Sequence, residues 1–370
     1  MNVHHTQTLA EMTQQRLDEI IAQQREGLKE IGPDFAPLLD EAHLFLQGGK
    51  RLRAQFLVLG YEAVAGSHER NASPEGAFSA VIDAACALEL FHAAALVHDD
   101  IIDRSDSRRG RPASHRFFAG LHRERDYRGD ADHFGEAAAI LLGDLLQSWA
   151  DETLQRALDA LPNREAALGA RQHFNRMRSE VAVGQFLDVL EEQHQAFAEH
   201  EVQLERSTRV LVYKSAKYSI QAPILIGAAM AGASPKQLGA LADFGLPVGV
   251  AFQLRDDLLG VFGNEQITGK PSGDDLTEGK RTVLVTLARE GLPAGPKRIF
   301  DDLHGDPTLN REQVKVLQDT ISQTGAKARV ETMISGNVGL AREALTEAAF
   351  DEKAVAALIS LAEFAATRDA

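Results

Sequence analysis

Two stretches of this sequence set carboxylates against apolar runs. In Leu96-Val97-His98-Asp99-Asp100-Ile101-Ile102-Asp103, Asp99 and Asp103 lie four residues apart. On a helix their carboxylates leave the same face one turn apart. Like charges so placed repel unless a cation sits between them. Hard carboxylate oxygens with open coordination positions suit Mg2+, which keeps several waters and accepts phosphate oxygens. The plain alternative, a solvated acidic helix end, has equal standing for this motif alone. A second pair shifts the balance, because Phe252-Gln253-Leu254-Arg255-Asp256-Asp257 closes an apolar run over 245–254 with adjacent aspartates. The two helix ends, 157 residues apart in sequence, are expected to face each other across a cavity. Lys270, Asp274, Asp275, Lys280 and Arg281 follow in a Gly-containing stretch, the mixed charge suited to a lid over a metal-bound diphosphate.

Cations gather at two places in an otherwise acidic chain. Gly48-Gly49-Lys50-Arg51-Leu52-Arg53 puts two glycines before a helix expected to open with three cations. The Walker pattern GxxxxGK[ST] is absent. Backbone amides near Gly49, with Lys50 and Arg53, could hold an anion without metal. Arg108-Arg109-Gly110 follows the first acidic motif within one short loop. Surface ion pairs would explain each cation singly; together they point to phosphate. His98 adjoins Asp99, but no second His or Cys stands at zinc-ligand spacing. No Ser/His/Asp signature appears.

The elements that must carry these residues read as helices. Apolar residues recur at helical intervals over 8–30, 80–102, 134–160, 164–194, 201–232, 236–262, 311–325 and 327–348. Alternating runs rich in Val, Ile and Thr are nearly absent. Polar or Gly/Pro-rich breaks fall at 104–114, 121–133, 263–281 and 292–307, and none resembles an interdomain linker. The expectation is an all-α chain forming a single-domain helical bundle with a central active-site cavity, and helices apolar on much of their surface suit an inner layer or a broad subunit interface. The formal net charge of -15 disfavours nucleic acid but leaves room for phosphorylated small molecules held through cations. Cys86 is the one cysteine, a buried small hydrophobe by its apolar neighbours, and a reducing cytoplasm is the expected compartment. The N-terminal sequence shows no apolar signal core, and no run is expected to approach the length needed to span a bilayer.

At this point the sequence resembles a family. GGKRLR, HDDIIDRSDSRRGRP, GQFLD, YKSAKY and FQLRDD…TGKPSGDDLTEGKR stand in the order found in trans-isoprenyl diphosphate (polyprenyl) synthases, over roughly residues 40–285. The sequence is most similar to actinobacterial members that make geranylgeranyl diphosphate. The resemblance implies the isoprenoid synthase fold, condensation of isopentenyl diphosphate with dimethylallyl, geranyl or farnesyl diphosphate, three Mg2+ ions per site, and a homodimer. By that resemblance Asp99 and Asp103 bind two ions on the allylic diphosphate, with Asp100 in the same motif. Asp256 matches the ligand of a third, with Asp257 and Asp275 supporting its waters. Gly49, Lys50, Arg53, His92 and Arg109 match positions that hold isopentenyl diphosphate. Arg108, Lys214 and Lys270 match those that grip the allylic diphosphate, and Lys280 a basic residue of the closing loop. Gln185 and Asp188 align with a GQxxD element, and Ser215, Tyr218 and Gln253 with residues lining the reacting centre. Two departures stand out. Gly260 replaces the usual third aspartate of the second motif, and Ser215 a commoner threonine.

Product length is expected to be read along the helix below Asp99. Ala95 and Ala94 stand four and five residues before it, where farnesyl synthases of the family carry bulky aromatics. Phe91 lies about 12 Å below Asp99, against about 6 Å for Ala95. The extra turn, about 5.4 Å, approximates one isoprene unit, so a geranylgeranyl product is expected. The alternative is that Phe91 packs in the core and the floor lies on another helix or subunit. Rival readings are a farnesyl or longer-chain synthase, a class I terpene cyclase and a non-catalytic synthase subunit. The cyclase's second metal motif would need Ser or Thr at position 260 and Glu at 264, where Gly260 and Asn264 stand. A non-catalytic subunit usually lacks one aspartate motif; both are present.

Overall fold

The structure is a computed structural model and describes residues 3–68, 76–264 and 272–368. The chain folds into two compact units. One comprises residues 1–170 and 227–232, the other 171–226 and 233–370.

The first unit is built on α4 (Ala77–Ile102). Apart from Ser79, Asp83 and Glu89 its first three turns and more are apolar, from Phe78 and Val81 to Leu88 and Leu90, and these four are buried. Helices α3 (Leu52–Ala65), α1 (Val3–Gly27) and α6 (Ala131–Asp159) pack around it, α2 (Ala36–Phe45) lies against α1 and α6, and α5 (Ser114–Glu124) rests on α6. Asp130 starts α6 by accepting the amides of Asp132 and His133, two of the donors that a helix N-terminus leaves over. By length and composition α4 could cross a membrane, which corrects the expectation that no run reaches that length; most of the apolar stretch is buried inside the fold. Between α4 and α5 lies a two-stranded hairpin, β1 (Ser107–Arg108) and β2 (Arg111–Pro112), paired Arg108 to Arg111. Arg109 and Gly110 both take positive φ, 52° and 73°, the backbone of the tight two-residue hairpin turns.

The second unit has α10 (Pro235–Phe262) as its spine. A capping box of Ser234 and Gln237, with Pro235 in the first turn, opens the helix. Along its length pack α15 (Ala326–Ala344), α16 (Glu352–Thr367) and a helical stretch over Leu211–Gln221. That stretch continues α8 (His200–Val210) and leads into α9 (Ala222–Met230), so the expected helical run over 201–232 is present. Its middle is a π-helix, which the sequence pattern did not foretell. Pro223 supplies a cause: it has no N–H to give, and its ring crowds the carbonyl four residues back, a conflict that a wider turn relieves. Neighbouring backbones also come unusually close. A Cβ on Gly249 of α10 would meet the Ala216 backbone, and one on Gly184 of α7 (Arg164–Gln193) the backbone of Tyr213 and Lys214.

Beyond α10 the described chain forms α11 (Asp274–Glu278), α12 (Val283–Glu290), α13 (Ala294–Leu303) and α14 (Arg311–Gln323). Helix α13 corrects the expected break at 292–307. Pro296 stands in its first turn, where a missing N–H costs little, while Phe300 is buried and anchors the helix.

Candidate functional site

In the first unit, Asp99 and Asp100 occupy the last turn of α4 and Asp103 caps it, its amide donating to the Asp99 carbonyl at 2.8 Å. The expected spacing of one turn between Asp99 and Asp103 holds. Asp100 is fully buried. It accepts Nε of Arg108 at 2.9 Å, and a second guanidinium nitrogen of the same residue also reaches it. That second nitrogen lies 3.8 Å from the Asp99 carboxylate. Asp100 thus sets the position of the hairpin, and removing Arg108 would strand a buried charge. His98 is turned toward α6, with Nε2 3.2 Å from the Ile140 carbonyl and 3.6 Å from Asp144.

The hairpin brings two sequence motifs together. Arg109, at its tip, approaches Gly49 so closely that a Cβ there would sit 3.6 Å from the guanidinium. Gly48, Gly49 and Arg51 all have positive φ, so the chain turns sharply before α3 begins at Leu52. The expectation of a helix opening with three cations is corrected here. Arg51 points inward, its guanidinium 3.0 Å from buried Glu89, whose other oxygen accepts the Ala54 amide at 3.3 Å. Lys50 is exposed and Arg53 half-buried. Burial and the guanidinia of Arg53, Arg109 and Arg108 push the His92 imidazole well below its ordinary pKa, so His92 is neutral at pH 7. The segments GGKRLR and RRG and residue His92 therefore form one cation-rich patch, the electrostatics that an anion would relieve.

Sequence reasoning missed Glu89 and Glu41. Glu41 is buried and accepts Ser114 at 2.8 Å and Arg111 at 3.2 Å, fixing the far strand of the hairpin. No spacing signal links residues 35 or more positions apart.

On α4, Phe91, Ala95 and Asp99 follow at intervals of four and so share a face. Phe91 is buried, Ala95 is half-buried and Ala94 fully buried.

In the second unit, Asp256 and Asp257 do not close a helix as expected. Buried Leu258 and Val261 extend the apolar face, so α10 runs on to Phe262. Asp257 is buried and accepts the Gln253 amide at 2.8 Å. Burial, with Asp275, Asp256 and Asp188 adding negative charge, pushes its carboxyl well above the usual range. Asp256 pairs with Arg368, whose guanidinium also lies 4.0 Å above the Phe252 ring. Nothing near position 256 in sequence announces Arg368. It arrives because Arg255 grips Glu331 at 2.6 and 2.8 Å and the Ala366 carbonyl at 2.8 Å, drawing the end of α16 to the motif.

Two more expected motifs meet in this unit. Lys214 of the π-helix pairs with Asp188 of α7, joining YKSAKY to GQFLD. Gln185 and Ser215 are half-buried and Tyr218 buried. Lys280 lies within 4.0 Å of Asp275, and its carbonyl is met by His304 Nε2 at 3.2 Å. Lys270 lies outside the described residues.

Comparison with known proteins gives this geometry its setting. The polyprenyl synthetase family model matches residues 38–321. A short chain isoprenyl diphosphate synthase of Methanothermobacter thermautotrophicus is 32% identical over 93% of this chain and 94% of its own. A geranylgeranyl diphosphate synthase of Methanosarcina mazei is 34% identical over 80% and 79%. Among solved structures, a geranylgeranyl pyrophosphate synthase of Corynebacterium glutamicum, complexed with isoprenyl diphosphate and magnesium, superposes with a TM-score of 0.89 at 36% identity, covering 97% of this chain and 98% of that one. The chain belongs to the polyprenyl synthetase family; it is a prenyltransferase with the all-α isoprenoid synthase fold.

Proposed function

We propose that this enzyme condenses isopentenyl diphosphate head-to-tail with allylic diphosphates and that its main product is geranylgeranyl diphosphate. The observation that carries the reading is the cationic patch of the first unit, where Arg109 at the hairpin tip meets Gly49 and the guanidinia of Arg53, Arg109 and Arg108 act together on His92. Such a patch suits a diphosphate that must be bound but not activated. In this reading Gly49, Lys50, Arg53, His92 and Arg109 hold isopentenyl diphosphate, and Arg108, Lys214 and Lys270 grip the allylic one.

The acidic residues fit Mg2+. Among the described residues no three His, Cys, Asp or Glu side chains gather into a cage, and the carboxylates come in sparse pairs of hard oxygens. That donor set suits an ion whose shell is completed by water and phosphate. Asp99 and Asp103 would hold two ions and Asp256 a third, with Asp257 and Asp275 on its waters. When bound, the ions neutralise charge on the departing diphosphate. The cationic side chains stabilise the same charge as the allylic C–O bond breaks. The isopentenyl double bond, held in place by its own anion site, attacks the resulting allylic cation. A proton then leaves the adjacent carbon for the released diphosphate, so no side-chain base is required. Gln185, Asp188, Ser215, Tyr218 and Gln253 line the reacting centre, and Lys280 belongs to the segment that closes over it. A homodimer in the cytoplasm is part of the same reading.

Chain length is assigned to α4. Phe91 and Ala95 share the Asp99 face, so Ala95→Phe should shorten the product to farnesyl diphosphate and Phe91→Ala lengthen it beyond geranylgeranyl. Loss of the buried ring would also cost about 3 kcal/mol of stability, so unfolding is measured alongside. Product analysis of pure protein with labelled isopentenyl diphosphate and each allylic primer tests both claims. Absence of any prenyl product sinks the reaction, and an unchanged product in a folded Phe91→Ala enzyme moves the floor elsewhere.

A further inference from the structure

We infer that Gln14 of α1 is a positioning residue for the isopentenyl diphosphate site, setting the backbone of the GGKRLR loop from outside it. The inference rests on the assignment of Gly49, Lys50 and Arg53 to that diphosphate. Gly48, Gly49 and Arg51 take φ of 71°, 88° and 52°, and for Arg51 the Cβ makes that region unfavourable. A residue stays there only when its surroundings over-determine it. Gln14 does this with one atom, since its Oε1 accepts Nη2 of Arg51 at 2.6 Å and the Gly48 amide at 3.3 Å. Gly49 and Lys50 are thereby bracketed by two residues gripped through the same oxygen. Arg51 is fixed on its other side by Glu89 at 3.0 Å and by the Leu46 carbonyl. Burial first, and the Arg51 guanidinium next, lower the pKa of Arg109, so Arg51 lies within electrostatic reach of the patch.

Gln14 is itself held in orientation. Its Nε2 donates at 3.1 Å to Oδ1 of Asp18, one turn along α1. The same carboxylate oxygen accepts Gln47 Nε2 at 3.0 Å and lies 3.2 Å from His43 Nε2 of α2. The Gln47 carbonyl in turn lies 3.5 Å from Nη1 of Arg109. One face of α1 thus meets the loop before its glycines, at them and after them. The helix is a firm base for this. Leu9, Leu17, Ile20 and Ile21 are buried, Arg16 reaches both oxygens of Asp83 on α4 at 2.5 and 3.1 Å, and the Thr13 carbonyl accepts Cys86 Sγ at 3.6 Å. Helix α4 also carries Glu89 and His92, so α1 ties the loop to the helix whose side chains complete the patch.

Binding of isopentenyl diphosphate to the full chain, measured by calorimetry in EDTA without an allylic partner, tests this. Gln14→Met keeps the length of the side chain and loses both acceptor contacts. It should raise Kd, and KM for isopentenyl diphosphate, about tenfold, as expected for loss of one hydrogen bond to a charged group. Neither kcat nor the KM for geranyl diphosphate should move with it. Gln14→Glu with Asp18→Asn restores an accepting oxygen toward Arg51 and Gly48 and a donor between the two positions, and should recover most of the affinity. Gln15→Ala, on the exposed side of α1, should change nothing. Melting temperatures are taken for each, and Gln14→Ala replaces Gln14→Met should that variant not fold. Unchanged affinity in a folded Gln14→Met protein, an equal rise in both KM values, or a paired exchange no better than Gln14→Met overturns the inference. Arg53→Ala tells its failure from that of the assignment beneath it. If Arg53→Ala weakens isopentenyl diphosphate and Gln14→Met does not, the inference alone falls, whereas affinity indifferent to Arg53→Ala removes the site and the inference with it.

Discussion

On α4 the acids of the first motif come from one helix, and their counter-cation follows almost at once. Arg108 is eight residues from Asp100 and pairs with it from the first strand of the hairpin. On α10 the acids come from two elements, and the cation facing Asp256 comes from a residue 112 positions away. The first arrangement is set by local chain geometry, with a helix end, two strands of two residues and a turn at Arg109-Gly110. The second depends on the packing of α10, α11, α14 and α16. A motif assembled locally can be read from spacing; one assembled by packing cannot, although both present carboxylates on a helix face.

The sharpest way to break this comparison is to remove one acid from each centre. Asp99→Ala and Asp256→Ala should each lower turnover by orders of magnitude, since each deletes a ligand for charge that develops only in the transition state. Circular dichroism and unfolding should stay close to wild type, because both side chains are partly exposed. Full activity in either variant, or in excess EDTA, excludes the metal reading for that centre.

The cationic patch tests the first unit alone. Arg53→Ala should raise KM for isopentenyl diphosphate by about 10- to 100-fold, the worth of one to two charge-assisted contacts. The allylic KM should barely move. A larger effect on the allylic substrate would reassign GGKRLR to the other diphosphate.

The second unit carries a pH dependence of its own. His304 lies against Phe300 and Phe197, with ring centroids 5.6 and 5.7 Å away, and burial depresses its pKa from 6.5 to about 4. A depressed histidine contributes stability that is complete above the unfolded pKa of about 6.5 and lost as pH falls toward 4. Since His304 is only half-buried, the loss should be about 2 kcal/mol between pH 7 and 4.5. Urea unfolding of wild type and His304→Gln at both pH values measures it, and the variant should show the smaller drop. Equal drops would assign acid sensitivity to other groups.

The smallest effect concerns Arg368. A half-exposed Asp256 paired with one guanidinium gains little net energy, so Arg368→Ala should cost under about 1 kcal/mol of stability. Its informative readout is the magnesium concentration giving half-maximal rate, which should fall a few-fold as competition for Asp256 is lifted. A rise would make Arg368 a partner of the substrate rather than a stand-in for the cation.

Much of this was legible in the sequence for a physical reason. Helical periodicity and i,i+4 spacing are properties of the chain itself, so the all-α class and the one-turn separation of Asp99 and Asp103 followed from residue order alone. The same holds for GGKRLR and RRG as cationic motifs and for the face of α4 that Phe91, Ala95 and Asp99 share. What the sequence did not carry were contacts made at a distance. The inward turn of Arg51 onto Glu89, the π-helix over Leu211–Gln221, the persistence of α10 past Asp257 and the arrival of Arg368 at Asp256 all depend on which elements pack together. Gly260 marks the boundary between the two kinds of knowledge. From the sequence it is a departure from an acidic pattern. Only the fold shows that the vacant Cβ position is occupied by Asp275, because a missing side chain has meaning only when the neighbour that fills its space is known.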